Sequence, residues 1–345
     1  MAEETRPSYL SPNGAPDAAS KSDAAPRYPS SGFTGFCNGF PDPFTWETYY
    51  ARTLAHIANP ANHEQTAPKE DDEAGSDAES DINDEDDPGT SWFSEHNAPE
   101  KVLHFLTQSS FPLSPRNTRT SRIQPSVLDL GTGNGSMLAL LRKRGGFSGD
   151  LVGVDYSAQS VGLARELQRT KGHSAYHSDS EDEDSEDEGE EQSHAQTPTE
   201  PGDIHFEEWD ILGSTALLSS DGKPVSASAN DETLSWFPYS RGGFDIVLDK
   251  GTFDAISLAE DAKETRVCER YPDIVRRLIR AGGFLIVTSC NWTEEELMHW
   301  FTGAGAETGS SDRFNVWGRV EYPRFRFGGQ EGQGVCTVCF QRVLS

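Results

Sequence analysis

The chain has no long apolar run and is poor in basic residues. No stretch of its 345 residues is apolar over the 18 or more positions that a membrane-spanning helix needs. Lys and Arg together number 29 against 57 acidic residues, which gives a formal net charge of −28. A surface of this sign repels the phosphates of nucleic acid. We therefore expect neither a membrane nor a nucleic acid as a direct partner.

Cysteine is also scarce. The five cysteines, an odd number, are scattered at Cys37, Cys268, Cys290, Cys336 and Cys339, and the N-terminal residues do not show the pattern of a secretory signal peptide. Both features are typical of a reducing compartment, so we expect a cytoplasmic protein. Cys336 and Cys339 are not accompanied by a second Cys pair or a Cys/His cluster, and their surroundings resemble a strand. We predict a structural role for them and no metal site.

The acidic residues are concentrated in two runs. Residues 70–87 hold 11 acidic side chains and residues 179–191 hold 10, with no basic residue in either run. Without these runs the formal net charge would be −7 instead of −28. Composition therefore predicts a disordered tail at 1–43 and an acidic disordered spacer at 67–90, with one helix within 44–66 between them. One domain follows at 91–345, with an acidic loop insertion at 172–202 and a flexible insertion at 215–243.

Two interpretations of the acidic runs stay open. They are solvated spacers that aid solubility, or they attract a basic protein partner by long-range electrostatics.

Glycines follow a short apolar run in Ser126-Val-Leu-Asp-Leu-Gly-Thr-Gly-Asn-Gly135, and a helical pattern begins soon afterwards. Gly131, Gly133 and Gly135 permit positive φ and close backbone approach, and the helix N-terminus offers unpaired N–H groups. A strand, a glycine loop and a helix in this order indicate an α/β sheet that binds a nucleotide-like ligand. In a dinucleotide fingerprint the third small residue would fall on Ser136, whereas the glycine stands one position earlier. The spacing therefore argues against an NAD oxidoreductase.

Carboxylates end the next apolar strands. Asp155 follows Leu151-Val-Gly-Val, where it can accept both hydroxyls of a ribose. Asp210 ends a third strand that begins at Ile204, although Glu207 and Glu208 are rival carboxylates there. Two more strands are predicted at 244–249 and 283–289, and a C-terminal hairpin is predicted from the runs 319–327 and 334–342.

The glycine segment, with Asp129 two residues before Gly131, resembles motif I of the seven-strand S-adenosylmethionine-dependent methyltransferases. The junctions Val247-Leu-Asp-Lys-Gly-Thr-Phe-Asp-Ala-Ile256 and Ser289-Cys-Asn-Trp-Thr293 are more specific. They resemble the methyltransferase-like protein-lysine methyltransferases, in particular those that modify translation elongation factor 1-alpha.

The resemblance implies an α/β fold: a single Rossmann-like, seven-stranded, mostly parallel sheet with a C-terminal antiparallel hairpin and helices on both faces. It also implies S-adenosyl-L-methionine as cofactor and a lysine of the basic protein translation elongation factor 1-alpha as substrate. The segments Trp46–Tyr50 and Ser91–Ser94 resemble the N-terminal lid of this family, which gives the helix within 44–66 the role of a lid. We expect a monomer.

The site residues that the resemblance implies fall into three groups. The cofactor-binding group is Asp129, Gly131, Thr132, Gly133, Asn134, Gly135, Asp155, Tyr156, Trp209, Asp210, Ile211 and Asp249. The catalytic group is Asp249, Asn291 and Trp292, and the substrate-binding group is Tyr50, Trp92 and Phe253.

Some of these roles have alternatives. Asp249 would hold the incoming ammonium or line the methionine end of the cofactor. For Trp92, Trp209 and Trp292, packing in the core is the alternative to contact with a ligand. At the level of function, the alternatives are a small-molecule methyltransferase and an inactive interaction protein that binds the cofactor.

Overall fold

The computed structural model describes residues 43–58, 96–177, 202–258, 267–303, 311–327 and 330–344. These residues belong to the compact unit Phe36–Ser345. The predicted spacer 67–90, Trp92, most of the acidic loop 172–202 and all but the last residue of the tail 1–43 lie outside the described residues.

Seven of the nine described strands form one sheet. The strands are β1 Val127–Leu130, β2 Leu151–Asp155, β3 His205–Glu208, β4 Phe244–Lys250, β5 Ile279–Ser289, β6 Asp312–Val320, β7 Phe325–Phe327, β8 Gln330–Gly332 and β9 Cys336–Leu344. The order across the sheet is β3-β2-β1-β4-β5-β9-β6, and β7 pairs only with β8. Neighbours from β3 to β5 are parallel, and β9 is antiparallel to both β5 and β6. The predicted fold class is confirmed.

Helices cover both faces of the sheet. They are α1 Pro43–Ala58, α2 Ala98–Thr107, α3 Pro115–Thr118, α4 Ser136–Lys143, α5 Ala158–Thr170, α6 Thr252–Leu258, α7 Val267–Leu278 and α8 Glu294–Gly303. One apolar cluster joins the sheet to α2, α4 and α5, and a second joins its other face to α6, α7 and α8. In the described ranges, none of the helices combines the length and apolar character required to cross a bilayer.

The central strands are apolar because both of their faces are covered. Every residue of β1 and β2 is buried. Along β1, Val127 enters the first apolar cluster whereas Leu128 and Leu130 enter the second, as the alternation of a strand requires. Parallel strands covered on both sides show such near-continuous apolar sequence, and their carboxyl ends meet at one edge of the sheet. That edge carries the glycine loop.

The C-terminal strands differ from the prediction. The first antiparallel strand begins at Asp312 and ends at Val320, instead of spanning 319–327. Pro323, which has no N–H to donate to a neighbouring strand, follows soon after Val320. The start of β6 is held by Arg342, whose fully buried guanidinium donates from Nε to Asp312 Oδ1 at 2.8 Å. A partner 30 residues away in sequence therefore sets the beginning of this strand.

The segment 215–243, predicted to be flexible, has little regular structure but packs onto the second apolar cluster. Phe237 is buried, and Trp236 and Tyr239 are partly buried against the same cluster. The Tyr239 hydroxyl donates to the Leu217 carbonyl at 2.9 Å and accepts from the Leu234 N–H at 3.0 Å. These contacts anchor the segment to the sheet because a buried aromatic ring contributes a large apolar area.

Candidate functional site

The loop after β1 adopts a conformation that favours glycine. Gly131, Gly133 and Gly135 have φ of 61°, 57° and 76°. A Cβ at Gly131 would overlap Thr252 Oγ1, which donates to the Leu130 carbonyl at 2.7 Å. At Gly135 it would lie 2.6 Å from the ring of Phe206. Positive φ and close neighbours together explain the glycine-rich sequence.

Asp129 lies beneath this loop. Its side chain is 2% exposed, and Oδ2 accepts a hydrogen bond from Thr132 Oγ1 at 2.9 Å. Burial raises the pKa of Asp129 to about 6, while the positive charge of half-buried Lys250 and the bond from Thr132 act in the opposite direction. Strand register pairs Asp129 with Leu248, so Lys250, two residues further along β4, shares its face of the sheet. A buried carboxylate of raised pKa is typical of a site that receives a positive charge.

Asp155, at the end of β2, ties the loop to the next helix. Its Oδ2 accepts from the Gly133 N–H at 3.0 Å and lies 2.8 Å from Ser160 Oγ, and its Oδ1 accepts from the Ser157 N–H at 3.0 Å. Burial raises the pKa of Asp155 despite these bonds. A carboxylate oxygen can accept more than one hydrogen bond, so Oδ1 retains capacity for a ligand hydroxyl. Beside Asp155, Tyr156 is 45% exposed.

Helix α1 lies over the glycine loop. Its residues Tyr50, Leu54 and Ile57 pack against the first apolar cluster. The Tyr50 hydroxyl lies 3.1 Å from the position of a Cβ at Gly133, and burial together with the charge of Asp155 raises the Tyr50 pKa well above its ordinary value. The structure therefore brings Tyr50, predicted to contact the substrate, to the predicted cofactor loop.

The residues after β3 make contacts within the protein that the sequence did not predict. Trp209 is buried and makes an edge contact with Trp236, with ring centroids 5.3 Å apart, and half-buried Ile211 packs against the same cluster. Asp210 is exposed, and its Oδ1 accepts from the backbone N–H groups of Leu212 and Gly213 at 2.9 and 3.0 Å. One carboxylate oxygen of Asp210 thus closes a local turn, and Trp209 packs in the core, the alternative that the sequence left open. Contact of Asp210 with the cofactor stays a prediction.

Asp249, predicted to be catalytic and cofactor-binding, caps helix α6. It is 1% exposed, and its Oδ1 accepts from the Thr252 and Phe253 N–H groups at 2.9 and 3.2 Å. Its Oδ2 accepts from the Tyr271 hydroxyl at 2.6 Å. Burial raises the pKa of Asp249 to about 7. These contacts give Asp249 a structural role, since a helix N-terminus needs acceptors for its free N–H groups, and its role at the ligand stays a prediction.

Phe253, predicted to bind substrate, is completely buried. Its ring stacks between Tyr271 and Trp292, with centroid distances of 5.5 and 5.8 Å. It supports Trp292 from behind and is not accessible to a protein substrate.

Asn291 and Trp292 lie in the loop between β5 and α8. Asn291 is exposed and Trp292 is half-buried, so both can reach a substrate at the carboxyl edge of the sheet. Ser289 Oγ accepts from the N–H groups of both residues, at 3.1 and 2.9 Å. After the loop, Thr293 and Glu296 form the reciprocal bonds of a capping box at the start of α8.

Several residues of the site were not identified from the sequence. They are Ser157, Ser160, Thr252, Asp254, Ser257, Tyr271 and Ser289, each hydrogen-bonded to a predicted residue or its loop. Only Asp254 gave a signal, because it is a carboxylate within an otherwise apolar run. The hydroxyl groups have no distinctive sequence pattern.

The residues around the loop fit S-adenosylmethionine. Asp129 and Asp155 are buried carboxylates of raised pKa on the two sides of a loop where glycines leave no side chain. A ligand with positive charges and a pair of hydroxyl donors would offset the unfavourable burial of both groups.

A methyl group at Gly131 should disrupt the loop. We expect Gly131→Ala to lower the free energy of unfolding by about 2 kcal/mol or more, because the residue has positive φ and its Cβ would overlap Thr252. In the matched control Gly202→Ala the new methyl group meets nothing within 4 Å, so stability should change by less than about 0.5 kcal/mol. Urea denaturation of both variants measures the difference. Equal stability of the two variants would contradict the loop geometry.

The chain is similar to known methyltransferases. A family model described as a methyltransferase domain matches residues 124–191. The protein-lysine N-methyltransferase EFM4 of Saccharomyces cerevisiae is 32% identical over 258 residues, which cover 74% of this chain and 83% of that protein. The human EEF1A lysine methyltransferase 2 is 30% identical over 258 residues, 74% of this chain and 78% of that protein.

Among solved structures, a SAM-dependent methyltransferase from Methanosarcina mazei is 13% identical, with a TM-score of 0.36 over 67% of this chain and 98% of that one. The identity and coverage of the yeast and human relatives establish the family. The chain therefore belongs to the family of S-adenosylmethionine-dependent protein-lysine N-methyltransferases that includes EFM4 and EEF1A lysine methyltransferase 2.

Proposed function

We propose that this enzyme transfers methyl groups from S-adenosylmethionine to a lysine of translation elongation factor 1-alpha. The observation that carries the proposal is the similarity to EFM4 and to the EEF1A methyltransferases, which extends over 74% of the chain. The geometry supports it, since buried carboxylates flank a loop suited to an adenosyl ligand.

The cofactor residues have separate roles in this proposal. When bound, S-adenosylmethionine supplies a methyl group on a positively charged sulfur. Asp129 faces the amino-acid end, where its carboxylate attracts positive charge. Asp155 accepts the ribose hydroxyls while it holds the Gly133 N–H. Tyr50 covers the loop and excludes water, and Tyr156 offers an exposed ring next to Asp155.

The target lysine must attack as a neutral amine, although an unperturbed lysine is protonated at neutral pH. Burial beside a positive charge lowers the pKa of the lysine and favours loss of its proton to water. Asn291 and Trp292 form the wall along which the side chain enters, and the Trp292 ring offers a face to the ammonium. Asp249 supports this wall through α6 and does not act as a base, because its oxygens accept hydrogen bonds and a carboxylate near a positive sulfur is a weak base.

The remaining parts of the proposal concern the partner and its setting. A strongly acidic chain suits a basic protein substrate and not a nucleic acid. We propose that the enzyme acts in the cytoplasm as a monomer; a translation factor as substrate and the small number of cysteines support the cytoplasm.

Incubation with labelled S-adenosylmethionine tests the proposed function. Purified enzyme should label translation elongation factor 1-alpha on one lysine, and mass spectrometry should show that peptide gaining methyl groups of about 14 Da each, one CH₂ per transfer. An unlabelled elongation factor, in the presence of enzyme that binds the cofactor, would contradict the proposed substrate. Label in a small-molecule fraction would favour the small-molecule alternative.

Removal of the Asp155 charge should weaken cofactor binding. We expect Asp155→Asn to reduce the affinity for S-adenosylmethionine at least about tenfold, since charge-assisted hydrogen bonds to the ribose are lost. Asp150→Asn, the same change at the exposed amino end of the strand, should leave the affinity unchanged. Calorimetric titration of both variants with S-adenosylmethionine measures the two affinities. Equal affinities would contradict a contact between Asp155 and the ribose.

Cofactor affinity should depend on pH through Asp129. The pKa of this carboxyl is raised to about 6, and the ionised form is the one that attracts a positive group. Affinity should therefore be flat above about pH 7 and fall by about tenfold for each pH unit well below 6, as the carboxylate is protonated. Titrations between pH 5 and 8 measure this, with Asp129→Asn expected to be weaker and less dependent on pH. The same slope in both proteins would rule out Asp129 as the titrating group.

A further inference from the structure

Helix α6 carries two polar side chains one turn apart, Asp254 and Ser257, on the side that faces the loop after β5. Asp254 is completely buried. Its Oδ1 accepts from Ser289 Oγ at 2.6 Å, and its Oδ2 accepts from the Cys290 N–H at 2.9 Å and lies 3.6 Å from the Cys290 thiol. Burial raises the pKa of this carboxyl, and the bonds from Ser289 and Cys290 act against that rise. A carboxylate at this depth is tolerated because it is hydrogen-bonded.

Ser257 contacts the two side chains that the proposed function places at the substrate. Its Oγ donates to the Asp254 carbonyl at 2.8 Å. The same oxygen accepts from Asn291 Nδ2 at 3.4 Å and from the Trp292 indole Nε1 at 3.2 Å. One hydroxyl therefore uses its donor within the helix and offers its lone pairs to both residues of the wall.

The other end of α6 touches the cofactor loop. Thr252, its first residue, donates to the Leu130 carbonyl and packs against Gly131, and Asp249 caps the helix there. Ser257 lies more than one turn further along the helix. A change at Ser257 thus removes contacts to the wall and leaves those to the cofactor loop in place.

We propose that Asp254 and Ser257 are positioning residues that fix the loop Cys290–Trp292, so that Asn291 and Trp292 form the entry wall for the protein substrate. Asp254 holds the loop backbone through its hydrogen bonds from Ser289 and Cys290. Ser257 holds the side chains of Asn291 and Trp292. The expected effect on the substrate rests on the proposed function. The position of the loop does not, because it can be measured in the enzyme without substrate.

Ser257→Ala is the decisive variant, because alanine favours a helix and the change removes only the hydroxyl. The KM for translation elongation factor 1-alpha should rise about five- to tenfold, the effect expected from two lost hydrogen bonds, with kcat changed less than about twofold. Ser257→Thr, which keeps a hydroxyl, should have a KM close to that of the wild type. The affinity for S-adenosylmethionine should stay as in the wild type.

The matched control is Thr107→Ala in α2. Thr107 also donates its hydroxyl to carbonyls of its own helix, those of Leu103 and His104. This change should leave KM and kcat at wild-type values. An unaltered KM in Ser257→Ala, or a loss of cofactor affinity in the same proportion as the KM change, would overturn the inference.

A second measurement separates this inference from the proposed function. The Trp292 indole N–H gives a proton–nitrogen NMR signal that Trp292→Phe assigns by its loss, and this signal should shift in Ser257→Ala. If the wild type does not methylate the elongation factor, the proposed function fails and the indole signal decides the inference. A shifted signal then supports the fixed loop, and an unshifted signal refutes it.

Discussion

Four carboxylates buried at the carboxyl edge of the sheet impose the main constraint on this fold. Asp129, Asp155, Asp249 and Asp254 all lie out of reach of bulk water, and each has a raised pKa because of its burial. A buried charge without hydrogen bonds is strongly unfavourable, so the turns after the strands must supply donors. Backbone N–H groups and hydroxyls do so at every one of the four. The same turns then hold the glycine loop, the start of α6 and the loop after β5.

Sequence alone was sufficient for the parallel strands of the sheet, and it predicts a site at their carboxyl ends. Short apolar runs that end in aspartate predict parallel strands whose carboxyl ends meet, and the structure has β1, β2 and β4 in that arrangement. Sequence predicts ligand contacts for both Asp155 and Asp249, which follow such a run, but it does not reveal that Asp249 is also hydrogen-bonded within the protein. One of these bonds comes from Tyr271, 22 positions beyond Asp249, whose hydroxyl reaches the carboxylate only after α7 has packed.

Other differences have the same origin in long-range or competing contacts. The glutamates before Asp210 are rival carboxylates in the sequence, whereas in the structure Oδ1 of Asp210 accepts from the backbone N–H groups of Leu212 and Gly213. Strand β6 begins at Asp312 because Asp312 accepts a hydrogen bond from Arg342 on the neighbouring strand β9. Insertion 215–243 has the polar composition of a flexible segment, but three aromatic residues near its end are enough to fix it on the sheet. The composition of the whole segment does not reveal the contacts of these few aromatic residues.

The position of β9 has a consequence for how the chain is made. In the described sheet β6 pairs with β9 alone, and β9 follows β6 in the chain while also separating it from β5. During synthesis β6 therefore leaves the ribosome before β9, the strand that joins it to the sheet. The two strands beyond β5 can thus be added to the sheet only after β9 has emerged.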